Sequence, residues 1–503
     1  MKEKKIFDAL TQVCEDYIEE AKTTKLKKQS VGWKKWVAIA ACAVVLLGGS
    51  GALVLQNLLP FGGSTAGSGA GYAGGSIFMS YAGPVFPLTL RESDNTITAT
   101  RNITYDFALP SEDSLRVWGS TVEDSYQLNN PSAKEKTVTA IYPFAGNFNE
   151  LQKLMPTIRV DGQQVSPTLY AGDYSGGFRG TYGANNPNGS LNILQLNSWE
   201  GYKALLEDGS YQHNAFSPYS ALSQQVTVYT FTDFEAPEEY HAATQAISFT
   251  IDPDKTTILK YGFNGGETGK KGFRRYSYFV PKHEHLRSKT KLLIVIGDDI
   301  SDYSLQGYKN GACKKGNELD GVSVTVTRSE KVLSDVVSSL IDEYFKHYGD
   351  GRMVPVSQEM FLGSFSAFLY QHNLLSESVS DRYAFGMLED MIGETGSLQR
   401  VFYLEFEIII PASESVSVVS TMHKKPSYDF ACSGSNNVGV QGYDMVSRLG
   451  SNLNFNKLTA ALTSTERIEI VRQNYGFDLQ QGRTKVEIDP AKEHYYLEIR
   501  PVD

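Results

Sequence analysis

Residues 36–55 read WVAIAACAVVLLGGSGALVL, twenty positions in a row without a charge. At about 1.5 Å per residue, such a run spans about 30 Å as a helix, the hydrocarbon thickness of a bilayer. Backbone groups in lipid must pair within the segment, which favours a helix. The sequence therefore predicts a transmembrane helix over 36–55. Gly48, Gly49 and Gly51 would weaken it in water, but glycine is common in membrane helices. Lys22, Lys25, Lys27, Lys28, Lys34 and Lys35 precede the run, and the next basic residue after it is Arg91. The excess of lysine marks the cytoplasmic side, so the N-terminus is expected inside and the long remainder outside. The segment ahead of the run exceeds a signal peptide's basic region, so the span reads as an uncleaved single-pass signal-anchor. Cleavage at the small residues Gly48 to Ala52 is the alternative.

Charge divides at the same place. Residues 1–35 carry nine lysines and six acids, a net +3, and the rest of the chain carries −13 of the total −10. An acidic exterior argues against nucleic-acid binding. A basic juxtamembrane segment suits an anionic inner leaflet. The composition, 41% apolar and 21% charged, is that of a folding chain. Four cysteines in 503 residues exclude a disulfide-stapled mini-protein.

The organisation expected from this reading has six parts. Residues 1–35 hold an amphipathic helix over 5–21, with Ile6, Leu10, Val13 and Tyr17 at helical spacing, followed by the basic segment. A lone helix cannot bury that stripe by itself, so a cytoplasmic protein partner is one candidate for covering it. The span 36–55 follows, then a Gly/Ser-rich linker over 56–76. A β-rich sandwich domain is expected over 77–290. Its signals include Val122, Asp124, Tyr126 and Leu128 in alternation and a hairpin turning at Asp161-Gly162. An α/β helical insertion is expected over 291–400, opened by the apolar run Leu292–Ile296. Three helices follow: one stopping at Gly349, one capped by Ser357, and one from near Ser380 to Gly393. A C-terminal β-rich region is expected over 401–503, beginning with Phe402, Leu404, Phe406, Ile408 and Ile410 on one strand face. The fold class is α+β, built mainly from antiparallel β-sandwich material.

Candidate chemistry is sparse. There is no Gly-x-Ser-x-Gly elbow, phosphate-binding loop, HExxH or Cys-x-x-Cys, and no motif implies a cofactor. Two residues apart on an extended segment, His283 and His285 lie on one face and form a candidate metal pair needing at least one more ligand. An exposed charged turn is the plainer reading of the same residues. Asp298, Asp299 and Asp302 follow the run 292–296, where carboxylates act as acid and base or simply close a turn. Cys313 and Cys432 would lie outside the membrane, where an oxidising compartment could join them. Alternatively, Lys314 and Lys315 activate Cys313 as a reactive thiol. The clusters Tyr170/Tyr174/Phe178 and Tyr276/Tyr278/Phe279 are stacking surfaces for sugars or peptides, or ordinary sheet packing.

The stretch KLKKQSVGWKKWVAIAACAVVLLGG, behind a short acidic helix, resembles the layout of uncharacterised single-pass membrane proteins of Gram-positive gut bacteria. It is also similar to anti-sigma-type membrane regulators, without their His-x-x-x-Cys-x-x-Cys zinc motif. Tyr126-Gln-Leu-Asn-Asn-Pro to Tyr142-Pro-Phe resembles the edge of an immunoglobulin-like sandwich in bacterial surface proteins. These resemblances imply a membrane-anchored protein that binds or senses a ligand outside the cell. The competing functions are a surface hydrolase built on Asp298/Asp299 or a metal at His283/His285, and an anti-sigma-type regulator.

Overall fold

The computed structural model describes residues 82–108, 119–174, 199, 203, 206–207, 209–280, 290–300, 302–348, 356–371, 375, 388–397, 399–429, 437 and 439–502. The expected helix 5–21, the span 36–55, the linker 56–76, His283, His285 and Cys432 all lie outside these residues. Among the described residues no helix is long and apolar enough to cross a membrane. Residues 81–427 and 442–503 form one unit, which holds the sandwiches and the helices. Residues 428–441, including the two-residue strand β18 (Tyr428–Asp429), are assigned to a second.

The fold is mostly β, with 48% strand and 18% helix, in several largely antiparallel sheets. Two sheets make the first sandwich. One has the order β1 (Thr89–Leu90), β4 (Lys136–Gly146), β16 (Arg400–Ile410), β7 (Thr168–Tyr174). The other has seven strands: β22 (Lys485–Ile488), β20 (Asn454–Thr463), β2 (Thr98–Asp106), β3 (Ser120–Asn129), β17 (Ser415–Lys424), β5 (Thr157–Val160), β6 (Gln163–Gln164). Alternation along these strands explains the sandwich, since Ile103, Tyr105, Val122, Leu128, Val416 and Val418 all turn inward. The chain passes from β3 to β4 and from β16 to β17, so it changes sheet at each turn instead of making a hairpin. Strand β2 runs parallel to β20, pairing Thr98 with Asn454. The Asp161-Gly162 turn joins β5 to β6 with φ of 45° and 78°, the left-handed pair that a type I′ hairpin requires. A further sheet carries β19 (Gln441–Val446), β23 (His494–Pro501) and β21 (Ile468–Gln473) in that order.

The second sandwich has one sheet ordered β10 (Thr256–Tyr261), β13 (Lys291–Gly297), β8 (Gln225–Glu235), β15 (Ser323–Val332). Its partner is ordered β11 (Gly265–Thr268), β12 (Phe273–Phe279), β9 (Thr244–Thr250), β14 (Tyr303–Tyr308). Phe231, Phe249, Phe263, Tyr276 and Tyr278 fill the space between them. The boundary expected at 290 falls inside this sandwich: β13 is one of the two inner strands of its sheet, between β10 and β8. The run Leu292–Ile296 does not alternate because both faces are covered. Leu293 and Val295 face the partner sheet, while Leu292 and Ile294 join the core shared with the helices.

Two short helices, α1 (Leu151–Leu154) and α2 (Ser210–Ala215), decorate the first sandwich. Three longer ones pack together: α3 (Leu333–Tyr348), α4 (Gln358–Gln371) and α5 (Leu388–Ser397). The Ser357 hydroxyl accepts the Met360 N–H at 3.1 Å, the expected N-cap of α4. The stop expected at Gly393 does not occur. Helix α5 continues to Ser397, because burial of Met391, Ile392 and Thr395 outweighs the roughly 1 kcal/mol helix penalty of a glycine. Phe148 joins helices to sheet, its ring 5.2 Å from Phe361 and 5.3 Å from Phe402.

Candidate functional site

The first candidate centre lies at the first of the described residues. Residues 82–90 run as a strap over the first sandwich: Val85 bridges Met445 in parallel, and Leu88 and Leu90 are buried. Beneath it, Arg101 on β2 and Asp124 on β3 both point inward among apolar neighbours, with side chains 1% and 0% exposed. The guanidinium grips the carboxylate with two parallel bonds, Nε to Oδ1 at 2.8 Å and Nη2 to Oδ2 at 2.9 Å. Its other protons go to Val446 O at 2.6 Å, Ser447 O at 3.1 Å and Phe86 O at 3.2 Å. Tyr126 and Tyr142 donate their hydroxyls to Asp124 Oδ2 at 2.7 and 3.1 Å, and Tyr126 accepts the Leu88 N–H at 3.0 Å. Burial opposes the Arg101 charge, but Asp124 and the two tyrosines outweigh it and keep the guanidinium protonated. Burial, then Asp124, pushes both tyrosine hydroxyls well above their ordinary value. Every strong partner in this network is satisfied, so it fixes the strap and leaves no group to react.

A second centre lies beside the same strap. Lys424, at the end of β17, lines a crevice with Pro84, Phe86, Phe144, Gln399 and Lys425. The crevice has about 20 Å³ of room, enough for about one water molecule. The Lys424 ammonium donates to Lys425 O at 2.9 Å. Burial pulls its pKa down to about 7; Asp444 opposes the shift and Lys425 adds to it. His423 is lowered as well, by burial and then by Lys425 and Lys424. Asp444, fully buried on β19, faces His494 with Oδ2 3.2 Å from Nε2, and the Trp199 ring stacks on the imidazole at 4.7 Å. An amine that is about half neutral at pH 7 and an Asp–His pair are the ingredients of proton transfer. Small-molecule sites are of the order of 300–1,000 Å³, however, and this crevice admits nothing of that size.

The residues singled out in the sequence fall elsewhere. Asp298 is exposed, its carbonyl taking the Thr256 hydroxyl at 2.8 Å. Asp299 accepts the Tyr229 hydroxyl at 2.9 Å, the Ile300 N–H at 2.8 Å and Arg328 Nε at 2.8 Å. The structure thus brings this carboxylate into a turn-closing network. Burial pushes the Cys313 thiol up, with Ser277 and Arg275 pulling the other way, the reverse of the activation expected from Lys314 and Lys315. Tyr276 and Tyr278 are core residues of the second sandwich, and Tyr170 packs on Phe216 at 4.5 Å. Among the described residues no group of three metal-ligating side chains is assembled. Sequence reasoning missed the Arg101–Asp124 pair, although a carboxylate in the inward register between Val122 and Tyr126 was the signal.

A third feature is a surface. The outer face of the seven-stranded sheet carries Thr98, Thr100, Asn102 and Thr104 on β2, partly or fully exposed. Strand β3 adds Thr121, Glu123, Ser125 and Gln127, in register with Asp106, Thr104, Asn102 and Thr100. Ser415, Ser417 and Thr421 extend it on β17, and Lys457, Thr459 and Thr463 on β20. Neighbours bond across strands, as Thr459 Oγ1 does to Asn102 Oδ1 at 2.7 Å and Ser415 Oγ to Asn129 Oδ1 at 3.1 Å. The result is a broad face rich in hydroxyls and amides that also carries Val419, His423 and the charges of Asp106, Glu123, Arg159 and Lys457.

No family model, curated protein or solved structure matches the chain.

Proposed function

We propose that this protein is a membrane-anchored binding protein. Its N-terminus is cytoplasmic, a single span crosses at 36–55, and the immunoglobulin-like β body stands outside the membrane. Binding, not turnover, is its role. The observation that carries this reading is the hydroxyl- and amide-rich outer face of the seven-stranded sheet. A grid of mostly uncharged donors and acceptors, spaced about 4.8 Å between strands, suits an extended partner that offers many weak hydrogen bonds and little charge. An uncharged polysaccharide is the ligand class that fits. The engaged ionisable groups support the same reading, since the buried Arg101 and Asp124 and the exposed Asp299 are all taken up in holding the fold.

Co-sedimentation of the purified chain with insoluble neutral and anionic polysaccharides tests the proposal. Retention on a neutral polymer is expected, with at least a tenfold loss on changing Thr100 and Thr459 together to glutamate. Failure to sediment with any neutral polymer, or indifference to the double substitution, contradicts it.

A further inference from the structure

Each sandwich has edges, and most are guarded. Strand β15 carries Arg328, Glu330 and Lys331 along its open side, β22 carries Lys485 and Glu487, and β11 carries Glu267. Charges at such places block pairing with another chain. Strand β14 reads Tyr303-Ser-Leu-Gln-Gly-Tyr308 and has no charge. Among the described residues its only strand neighbour is β9, and its other side is covered just at the far end. There Leu319 N bonds Gly307 O at 2.9 Å and Lys309 N bonds Asn317 O at 2.9 Å. Tyr303 and Leu305, 39% and 37% exposed, are two of the few large apolar side chains left in solvent among the described residues.

The two bonds at 307 and 309 also fix which way the strand faces. Odd-numbered backbone groups point away from β9, so by the period of two the N–H and C=O of Tyr303 and Leu305 point outward as well. We infer that β14 is a homodimerisation edge, pairing antiparallel with β14 of a second copy about a two-fold axis at Ser304. In this register Tyr303 of each copy stands opposite Leu305 of the other. Both are outward-facing, so each pair exchanges two backbone hydrogen bonds, four in all. Each tyrosine ring also packs against a leucine across the seam. Ser304 meets its own copy at a non-hydrogen-bonded position, where Cα atoms come within about 4.5 Å. Self-complementarity selects the occupant: an uncharged strand with matching Tyr and Leu at i and i+2 is what this edge itself supplies.

The test is Ser304→Cys in the full-length chain in detergent, under mild oxidation and non-reducing electrophoresis, with the unsubstituted chain run alongside. Cα atoms at that spacing lie within disulfide range, so a covalent dimer is expected at about ten times the level given by Gln306→Cys. The two copies of residue 306 lie about 13 Å apart along the strand in the same register. Adding Leu305→Lys to Ser304→Cys abolishes the cross-link. Equal cross-linking at 304 and 306, a Ser304→Cys chain that stays monomeric, or a cross-link that survives Leu305→Lys overturns the inference. A monomeric result leaves the edge to a strand of another protein.

Discussion

Two buried cations beside the strap behave differently, and each makes a prediction of its own. Arg101 is paired and fully bonded, so removing either partner strands a charge in the core. Asp124→Ala is expected to destabilise the protein by roughly 3–5 kcal/mol, and Arg101→Met by a similar amount. The double replacement of both by apolar residues should cost less than the sum, which a denaturant-unfolding cycle measures. Lys424 is the opposite case, a buried amine whose pKa falls from 10.5 to about 7 on folding. Between those values the unfolded chain binds the additional proton, so stability rises with pH through that window. From pH 7 to 9 the gain is roughly 2–3 kcal/mol, and Lys424→Met should flatten it while raising stability at pH 7. An unchanged slope in the variant would assign the effect to other groups. Neither centre was read from the sequence. A lone Arg or Asp on an alternating strand signals burial only once its strand neighbours are known, and Arg101 and Asp124 sit 23 positions apart.

At the scale of elements, the strap is the most consequential piece. It buries Val85, Phe86, Leu88 and Leu90, each worth about 1.5–3 kcal/mol, a sum comparable with the whole stability of a typical domain. A chain shortened to begin at Ala82 should keep a cooperative thermal transition, and one beginning at Arg91 should lose it in circular dichroism. Local signals in the sequence located many elements well. The Asp161-Gly162 hairpin and the cap at Ser357 are each set by one or two residues with a conformational requirement. Helix α5 was misread at Gly393 because a weak local preference lost to tertiary burial. Strand partnership was out of reach for a related reason. The pairing of β2 with β20 joins Thr98 to Asn454, and no residue near either end specifies it.

At the scale of the whole molecule, the first sandwich, the helical layer and the outer face of one sheet of the second sandwich share a core, while the second sandwich keeps an interior of its own. Leu292 and Ile294 of the second sandwich cluster with Leu333, Phe361 and Phe402 from the helices and the first. The sequence suggested a break at 290 because the apolar run beyond it looked like a new unit; it is a strand covered on both faces. That the bulk of the chain is β and built from antiparallel sheets was legible from alternation alone. The proposed role rests on the topology assigned to the uncharged run at 36–55, with the acidic, strand-rich body on the opposite side of the bilayer from the lysines. Protease treatment of intact cells, followed by detection of epitope tags at both ends, measures this directly. The account predicts that the C-terminal tag and nearly all the mass are removed while a small N-terminal fragment survives inside. A full-length chain protected in intact cells and cut only after lysis would contradict it.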